Sequence, residues 1–326
     1  MGGATGVLGA ELVSSHEPEA TYAASRHTSV VPLHWLYFGY CDVCGLWNTL
    51  RHYLEGASGT PVVSSQPPSL DSQGGVSVLA ILTYHSLDLS GSVLSVAPQQ
   101  FAEHMAHLAH LGLQGMALRE AVAHRNAHGT WPERGVVLTF DDGYANCYEA
   151  ALPVLRQHGF TATVFLVSGH MGGYNDWEPP LERLGTQPML NWEQVAALAK
   201  AGLEVGAHTV THRELQRLTA AEVQSEIRTA RDDIAKRLGM PVESFAYPFG
   251  STSPQVCELV QREFRIACTT VLKRAATEPL HRLPRIDMYY IRSLPRLERL
   301  LTGRLDRYLA IRRWGRAVRR VLKGDA

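Results

Sequence analysis

The chain has 326 residues, with 31 Lys/Arg against 31 Asp/Glu, 45% hydrophobic and 19% charged residues. That is long and apolar enough for one large α/β domain, or two modest ones, with a substantial core. No apolar run reaches the roughly twenty residues needed to span a bilayer. The neutral total conceals an asymmetry: residues 291–326 carry eleven Lys/Arg and three Asp/Glu, so the tail is basic and the body acidic. Such a tail suits an anionic surface. The five cysteines, at 41, 44, 147, 257 and 268, are few, odd in number and scattered, which is not the pattern of a disulfide framework and points to a reducing compartment. The start shows no basic segment followed by a clean apolar one, so no secretory signal is expected, and a cytoplasmic or peripheral membrane location is favoured.

Residues 1–76 are rich in Gly, Ser, Thr and Pro and read as a mostly disordered leader of unknown role, or as the product of a wrongly assigned start. Within them Val30 to Trp47 is aromatic and apolar but interrupted by Pro32, His34 and Asp42, which suits a surface better than a bilayer interior. Cys41-Asp-Val-Cys44 has redox or zinc spacing, yet no second pair follows it.

From Val78 onward β and α signals alternate. Val78–Tyr84 reads as a strand, and Pro98–His110 as a helix with Phe101, Met105 and Leu108 on one face and His104, His107 and His110 on a solvated flank. A short strand near Leu113–Met116 and a helix over Leu118–His128 precede the apolar run Val136–Phe140, which ends in Asp141-Asp142-Gly143. Neighbouring strand residues point to opposite faces, so the two carboxylates can share one site only if the chain turns, and Gly143 permits a turn. A helix to His158, a strand over Thr161–Val167 and a long loop over Ser168–Leu190 follow. A loop of that length is usually functional and here would wall a cleft. Further elements are expected at Asn191–Ala201, Leu203–Ala207, a capping box at Thr219/Glu222 opening a helix to Leu238, Ser244–Tyr247, Pro254–Glu263, Arg265–Thr269 and Leu283–Ile286. Repeated β-then-α units predict parallel strands and a barrel whose working residues sit at the C-terminal strand ends.

That rule selects one set. Asp141 and Asp142 end one strand, His208 ends another with His212 four residues on, Phe249-Gly250 follows a third, and His85 ends the first. Two imidazoles one helical turn apart can reach one ion, and with a carboxylate they form a two-His, one-acid site for Zn²⁺ or another divalent transition metal.

Thr139-Phe-Asp-Asp-Gly143 followed by Leu203-Glu-Val-Gly-Ala-His-Thr-Val-Thr-His212 resembles the metal-dependent polysaccharide deacetylases of the NodB-homology type, carbohydrate esterase family 4. The likeness runs from about Val78 to about Met288 and implies a distorted (β/α) barrel with fewer than eight repeats. It also implies removal of N-acetyl groups from N-acetylhexosamine units of a glycan or saccharide. By the resemblance Asp142, His208 and His212 bind the metal, most simply Zn, with Co, Ni, Mn or Fe as alternatives, and Asp141 is the general base. Phe245-Ala-Tyr-Pro-Phe-Gly250 stands where the family carries Arg-x-Pro-Tyr, with Ala246 at the arginine position and Phe249 at the tyrosine position. An oxyanion contact through the Phe249 backbone N–H survives that change, and Arg285 is the candidate for the missing arginine. The late Leu-x-His motif is also missing. Thr83-Tyr84-His85-Ser86 resembles the early Tyr-His of poly-N-acetylglucosamine deacetylases, which makes His85 the candidate acid, against the reading of a satisfied core histidine.

The alternatives are an O-acetyl esterase using the same site and a non-catalytic carbohydrate-binding protein. The tail 291–326, with Leu297, Leu300, Leu301, Leu305, Leu309 and Trp314 among arginines, reads as basic amphipathic helix packed on the barrel 77–290, or as a peripheral contact with an anionic membrane. Nothing in the sequence suggests nucleic-acid binding.

Overall fold

Seven parallel strands close into a ring because each is short, apolar and buried, so that both faces must be covered. A computed structural model describes residues 77–177 and 184–323. The Cys41/Cys44 pair, the Val30–Trp47 stretch and the rest of 1–76 lie outside the described residues. The strands are β1 (Ala80–Tyr84), β2 (Gln114–Met116), β3 (Gly135–Phe140), β4 (Thr163–Leu166), β5 (Glu204–Ala207), β6 (Ser244–Ala246), β7 (Ile266–Leu272) and β8 (Leu283–Asp287). The sheet order β1-β8-β7-β6-β5-β4-β3 is closed by a β1–β3 pairing that runs from Ala80 opposite Val136 to Tyr84 opposite Phe140. The far edge of β3 is divided: β2 takes Gly135 to Val137 and β4 takes Thr139 and Phe140. The eighth strand is therefore a side branch, and the ring is the expected distorted barrel.

The ring interior is filled by alternate strand residues, including Ile81, Val137, Phe165, Ala246, Cys268 and Leu283. Helix α2 (Leu118–His128) adds Leu118, Ala121 and Val122 to this cluster, together with Trp131, whose Nε1–H donates to the Ala276 carbonyl at 2.8 Å. Glu204, unremarked in the sequence, is buried at the start of β5, where it accepts hydrogen bonds from the Thr163 and Ser244 hydroxyls and the Arg119 N–H at 2.7, 2.5 and 2.9 Å. A buried carboxylate held by three donors avoids the cost of an unsatisfied charge.

An outer apolar layer packs the helices against the ring. They are α1 (Pro98–His110), α3 (Leu152–His158), α4 (Trp192–Lys200), α5 (Ala220–Leu238) and α6 (Pro254–Glu263). The Thr219/Glu222 capping box forms as expected. The helix expected after Gly143 begins instead with a wider π-helical turn over Cys147–Ala151. His104 corrects the solvated-flank expectation: it is fully buried, with Nδ1 3.2 Å from the Tyr84 hydroxyl and Nε2 2.8 Å from the Arg292 carbonyl. Position 104 lies between Phe101, Met105 and Leu108 on the inward arc, so only a residue with two polar partners can be tolerated there.

The C-terminal helices α7 (Leu294–Leu301) and α8 (Asp306–Lys323) bury Leu297, Leu300, Leu301, Leu305 and Leu309. Arg312 and Arg316 stack over Tyr290, 4.9 and 5.6 Å from its ring centre. Ile311 and Trp314 face outward, 51% and 71% exposed, so Trp314 does not join the packed leucines. Among the described residues no helix is long and apolar enough to cross a membrane.

Candidate active site

The C-terminal ends of β1, β3, β5, β6 and β8 bring the sequence-selected residues together. β3 ends at Phe140, and the turn comes one residue earlier than Gly143: Asp142 itself has φ 71°, spanned by a hydrogen bond from the Gly143 N–H to the Asp141 carbonyl at 2.9 Å. An i to i+2 turn centred on a left-handed residue is strained. It lets two carboxylates that a continuing strand would have placed on opposite faces both act on His208. Gly143 follows at φ 86°, where a Cβ would meet the Leu166 side chain at 3.0 Å.

Asp141 keeps the inward direction of Val137 and Thr139 and meets Arg285 from β8 across the top of the ring. The guanidinium donates to both carboxylate oxygens, Nη1 to Oδ1 and Nη2 to Oδ2, each at 2.6 Å, while Nε donates to the Thr269 carbonyl at 3.1 Å. Both side chains are almost fully buried. Burial alone would raise the Asp141 carboxyl, but the charges of Arg285 and then His208 outweigh it and hold the group below its ordinary value. Asp141 is thus an immobilised, ionised carboxylate. His85 stands next to it, Nε2 3.9 Å from Asp141 Oδ2, with 16% of its side chain exposed.

His208 and His212 converge on the second aspartate. Their Nε2 atoms lie 3.4 and 3.3 Å from the same oxygen, Asp142 Oδ1, and the donor atoms of the three residues all lie within 4.8 Å of one another. The reason differs from the expected helical turn. Residues 208–212 form a tight loop in which Thr209 and His212 are left-handed, at φ 68° and 57°. His208 donates Nδ1–H to the Ala246 carbonyl at 2.7 Å, which leaves Nε2 as the free lone pair, the tautomer a metal ligand needs. Burial would raise Asp142, but the His208 and His212 imidazoles beside it outweigh burial and hold it well below its ordinary value. His208 is raised, because Asp142 and Asp141 outweigh the burial that would lower it, whereas burial prevails at His212 and lowers it. One ionised carboxylate and two imidazole nitrogens, buried and converging, are a donor set suited to a divalent transition metal.

Phe249 lies in a turn over Pro248–Gly250 with φ 59°, and its ring centre is 4.8 Å from that of His212. The four non-glycine residues with positive φ among those described, Asp142, Thr209, His212 and Phe249, are therefore all at this site. At about 1–3 kcal/mol each, such conformations persist only where surrounding contacts enforce them. The loop after β4 supplies Trp177, which sequence reading did not single out; its ring centre is 4.8 Å from His212 on one side and 5.1 Å from His170 on the other. A cleft of about 920 Å³ opens beside His212, walled by Trp177, Phe249, Arg213, Arg217 and Leu218. Tyr144 was missed as well: its buried hydroxyl stands beside Asp142 and Asn175 without a well-formed hydrogen bond among the described residues, and its ring centre lies 6.4 Å from that of Trp177.

Residues 128–263 match the family model described as polysaccharide deacetylase. The chain is 29% identical over 193 residues to YxkH of Bacillus subtilis, which carries a polysaccharide-deacetylase name, covering 59% of this chain and 64% of that protein. It is 24% identical over 165 residues to poly-beta-1,6-N-acetyl-D-glucosamine N-deacetylases of Staphylococcus aureus, covering 48% of this chain and 54% of those proteins. The chain thus spans less than two thirds of the length of these curated relatives. Among solved structures, the Streptococcus pyogenes deacetylase PplD in complex with acetate aligns with a TM-score of 0.61 at 22% identity over 69% of this chain and 99% of that one. IcaB from Ammonifex degensii aligns at 0.58 and 22% identity over 69% and 97%. At that identity the two structures speak for the fold, and they share the distorted barrel.

Replacing Arg285 with Met strands the Asp141 carboxylate in the barrel and should cost about 3–5 kcal/mol, read from urea unfolding of metal-free protein. Adding Asp141→Asn should recover most of the loss. A single variant as stable as wild type would refute the proposition that the pair is mutually dependent.

Proposed function

We propose that this chain, which carries a polysaccharide deacetylase domain, is a metal-dependent hydrolase that removes N-acetyl groups from N-acetylhexosamine units of a glycan, releasing acetate and leaving an amine. The observation that carries this reading is the division of labour between adjacent acids. Asp142 converges with two imidazoles on one point, while Asp141, ionised and fixed by Arg285, is left free to take a proton. A ligating carboxylate is occupied by its ion, so a second carboxylate is needed for the proton. Asp142, His208 and His212 would hold the metal. Bound there, a divalent ion, zinc or one of Co, Ni, Mn and Fe, supplies Lewis acidity to the acetamide carbonyl and acidifies water.

The remaining steps belong to the chain. Asp141 accepts a proton from the attacking water, and Arg285 keeps its oxygens aimed and charged during the transfer. The carbonyl oxygen becomes an oxyanion as the new C–O bond forms, and the Phe249 N–H is the backbone donor proposed for it. The C–N bond then breaks, and the departing nitrogen needs a proton, for which His85 is the proposed source, standing 3.9 Å from Asp141. Phe249, 45% exposed beside His212, offers aromatic surface on which a sugar ring can lie, while the buried Trp177 packs on the same imidazole.

The test is acetate release from a panel of N-acetylated and O-acetylated saccharides with and without a chelator. N-acetyl substrates should be cleaved and the chelator should stop cleavage; release from O-acetyl substrates alone would make the protein an esterase. Asp141→Asn should lose at least about 100-fold in turnover while retaining its metal, as elemental analysis would show. For His85→Ala, amide hydrolysis should fall far more than hydrolysis of an activated ester, whose leaving group needs no proton. Equal losses on both substrates would remove His85 from the acid role.

The outward Ile311 and Trp314 on an arginine-rich helix support peripheral contact with an anionic membrane. Because both side chains are exposed, the double change Ile311→Ser with Trp314→Ser should leave the fold intact and weaken co-sedimentation with phosphatidylglycerol vesicles. Unchanged sedimentation would dismiss the contact.

A further inference from the structure

The loop carrying His212 is pinned from outside the ring by a residue of helix α5. Glu226 lies nearly two turns inside that helix, 9% exposed, with its carboxylate turned toward residues 210 and 211. Its Oε2 accepts the backbone N–H groups of both Val210 and Thr211, at 2.9 and 3.0 Å, and its Oε1 accepts the Thr211 hydroxyl at 2.5 Å. Two successive N–H groups converging on one anionic oxygen form a backbone nest, here filled by the protein's own carboxylate.

The loop has reasons to leave this shape. Thr209 is β-branched and left-handed, and His212 is left-handed three residues later. Its other ties are the Thr209 and Val210 carbonyls, which accept from the Ser168 and Gly169 N–H groups at 3.1 and 2.9 Å, and the Thr209 hydroxyl, which accepts from the His212 N–H at 3.0 Å. Those bonds engage the loop's carbonyls and its final N–H. The two central N–H groups point the other way, and Glu226 takes both.

We infer that Glu226 is a positioning residue for the metal site: it holds Val210 and Thr211 so that His212 keeps its strained backbone and presents Nε2 beside Asp142. The inference rests on the reading of Asp142, His208 and His212 as metal ligands. Glu226 touches neither the donor atoms nor the reacting groups, and its effect passes through the backbone of residues 210–212. Removing it leaves two N–H groups without an acceptor, and the loop can relax toward ordinary right-handed or extended conformations that carry the imidazole away.

The experiment is a zinc titration of the purified full chain against a chromophoric chelator, alongside thermal melts in EDTA. Glu226→Ala should weaken zinc binding by about tenfold or more, the scale typical of outer contacts to metal ligands. Glu226→Gln, which retains one carbonyl oxygen for both N–H groups, should recover most of that affinity. Thr211→Val, which removes only the hydroxyl contact, should weaken binding by a smaller factor and remains informative if Glu226→Ala fails to fold. A merely structural role would lower the melting temperature and leave the zinc affinity of the folded fraction unchanged, and that result overturns the inference. Zinc binding by Glu226→Ala indistinguishable from wild type, or by Thr211→Val should Glu226→Ala fail to fold, would also overturn it. Failure of the wild-type chain itself to bind zinc would instead bring down the metal-site reading, and this inference with it.

Discussion

A guanidinium and a carboxylate removed from water together, with two hydrogen bonds of 2.6 Å between them, set the terms for the rest of this site. Either charge alone in the barrel would cost several kcal/mol, and only near-ideal geometry makes the pair tolerable. That geometry needs β3 and β8 held at a constant distance across the ring, which the continuous β1–β3 and β1–β8 pairings provide. The Thr139 hydroxyl and the Thr269 carbonyl accept two more of its donors, and the Phe165 ring lies with its centre 5.6 Å from Arg285 Cζ. The barrel is thus a rigid frame for an ion pair, and the ion pair keeps one carboxylate charged in a dry place.

A second cost is spread over the backbone. Asp142, Thr209, His212 and Phe249 all adopt conformations that favour glycine, and none is glycine. Three of them bear proposed functions through side chain or backbone, and Thr209 supplies the turn between the two histidines. The local preference of each residue is overruled by ties from neighbouring strands and helices. Such disagreement between local propensity and fold is characteristic of functional sites.

Much of this was legible in the chain. The β/α alternation, the strand ends and the expectation that Asp141, Asp142, His208, His212, Phe249 and His85 share a rim all follow from apolar periodicity and the barrel rule. Arg285 was placed by its position on the last strand alone, and the structure sets it against Asp141 with both its terminal nitrogens. What could not be read are features decided by tertiary contact. His208 and His212 meet through a left-handed loop, not a helical turn, since four-residue spacing fits both. His104 is buried because two distant groups answer its nitrogens, and nothing near it in sequence reports them. Nothing in the sequence singles out Glu226 from the other acids of its helix, and Trp177 was lost in a long loop. The family match spans residues 128–263, so it omits both β1 with His85 and β8 with Arg285; those two rest on geometry and on this chain's own motifs.

The closing of the ring has a temporal side. β1 is among the first parts of the barrel to be made, yet one of its edges pairs with β8, with Leu82 opposite Ile286 and Thr83 opposite Asp287. A chain emerging from the ribosome must carry that edge unpaired until some two hundred residues have followed it, a long exposure for a strand prone to mispairing. Asp142, His208 and His212, the three residues whose donor atoms converge, are all made well before Arg285. The ion pair that keeps Asp141 charged is therefore among the last features of the site that synthesis completes, and it waits on the docking of the final strand.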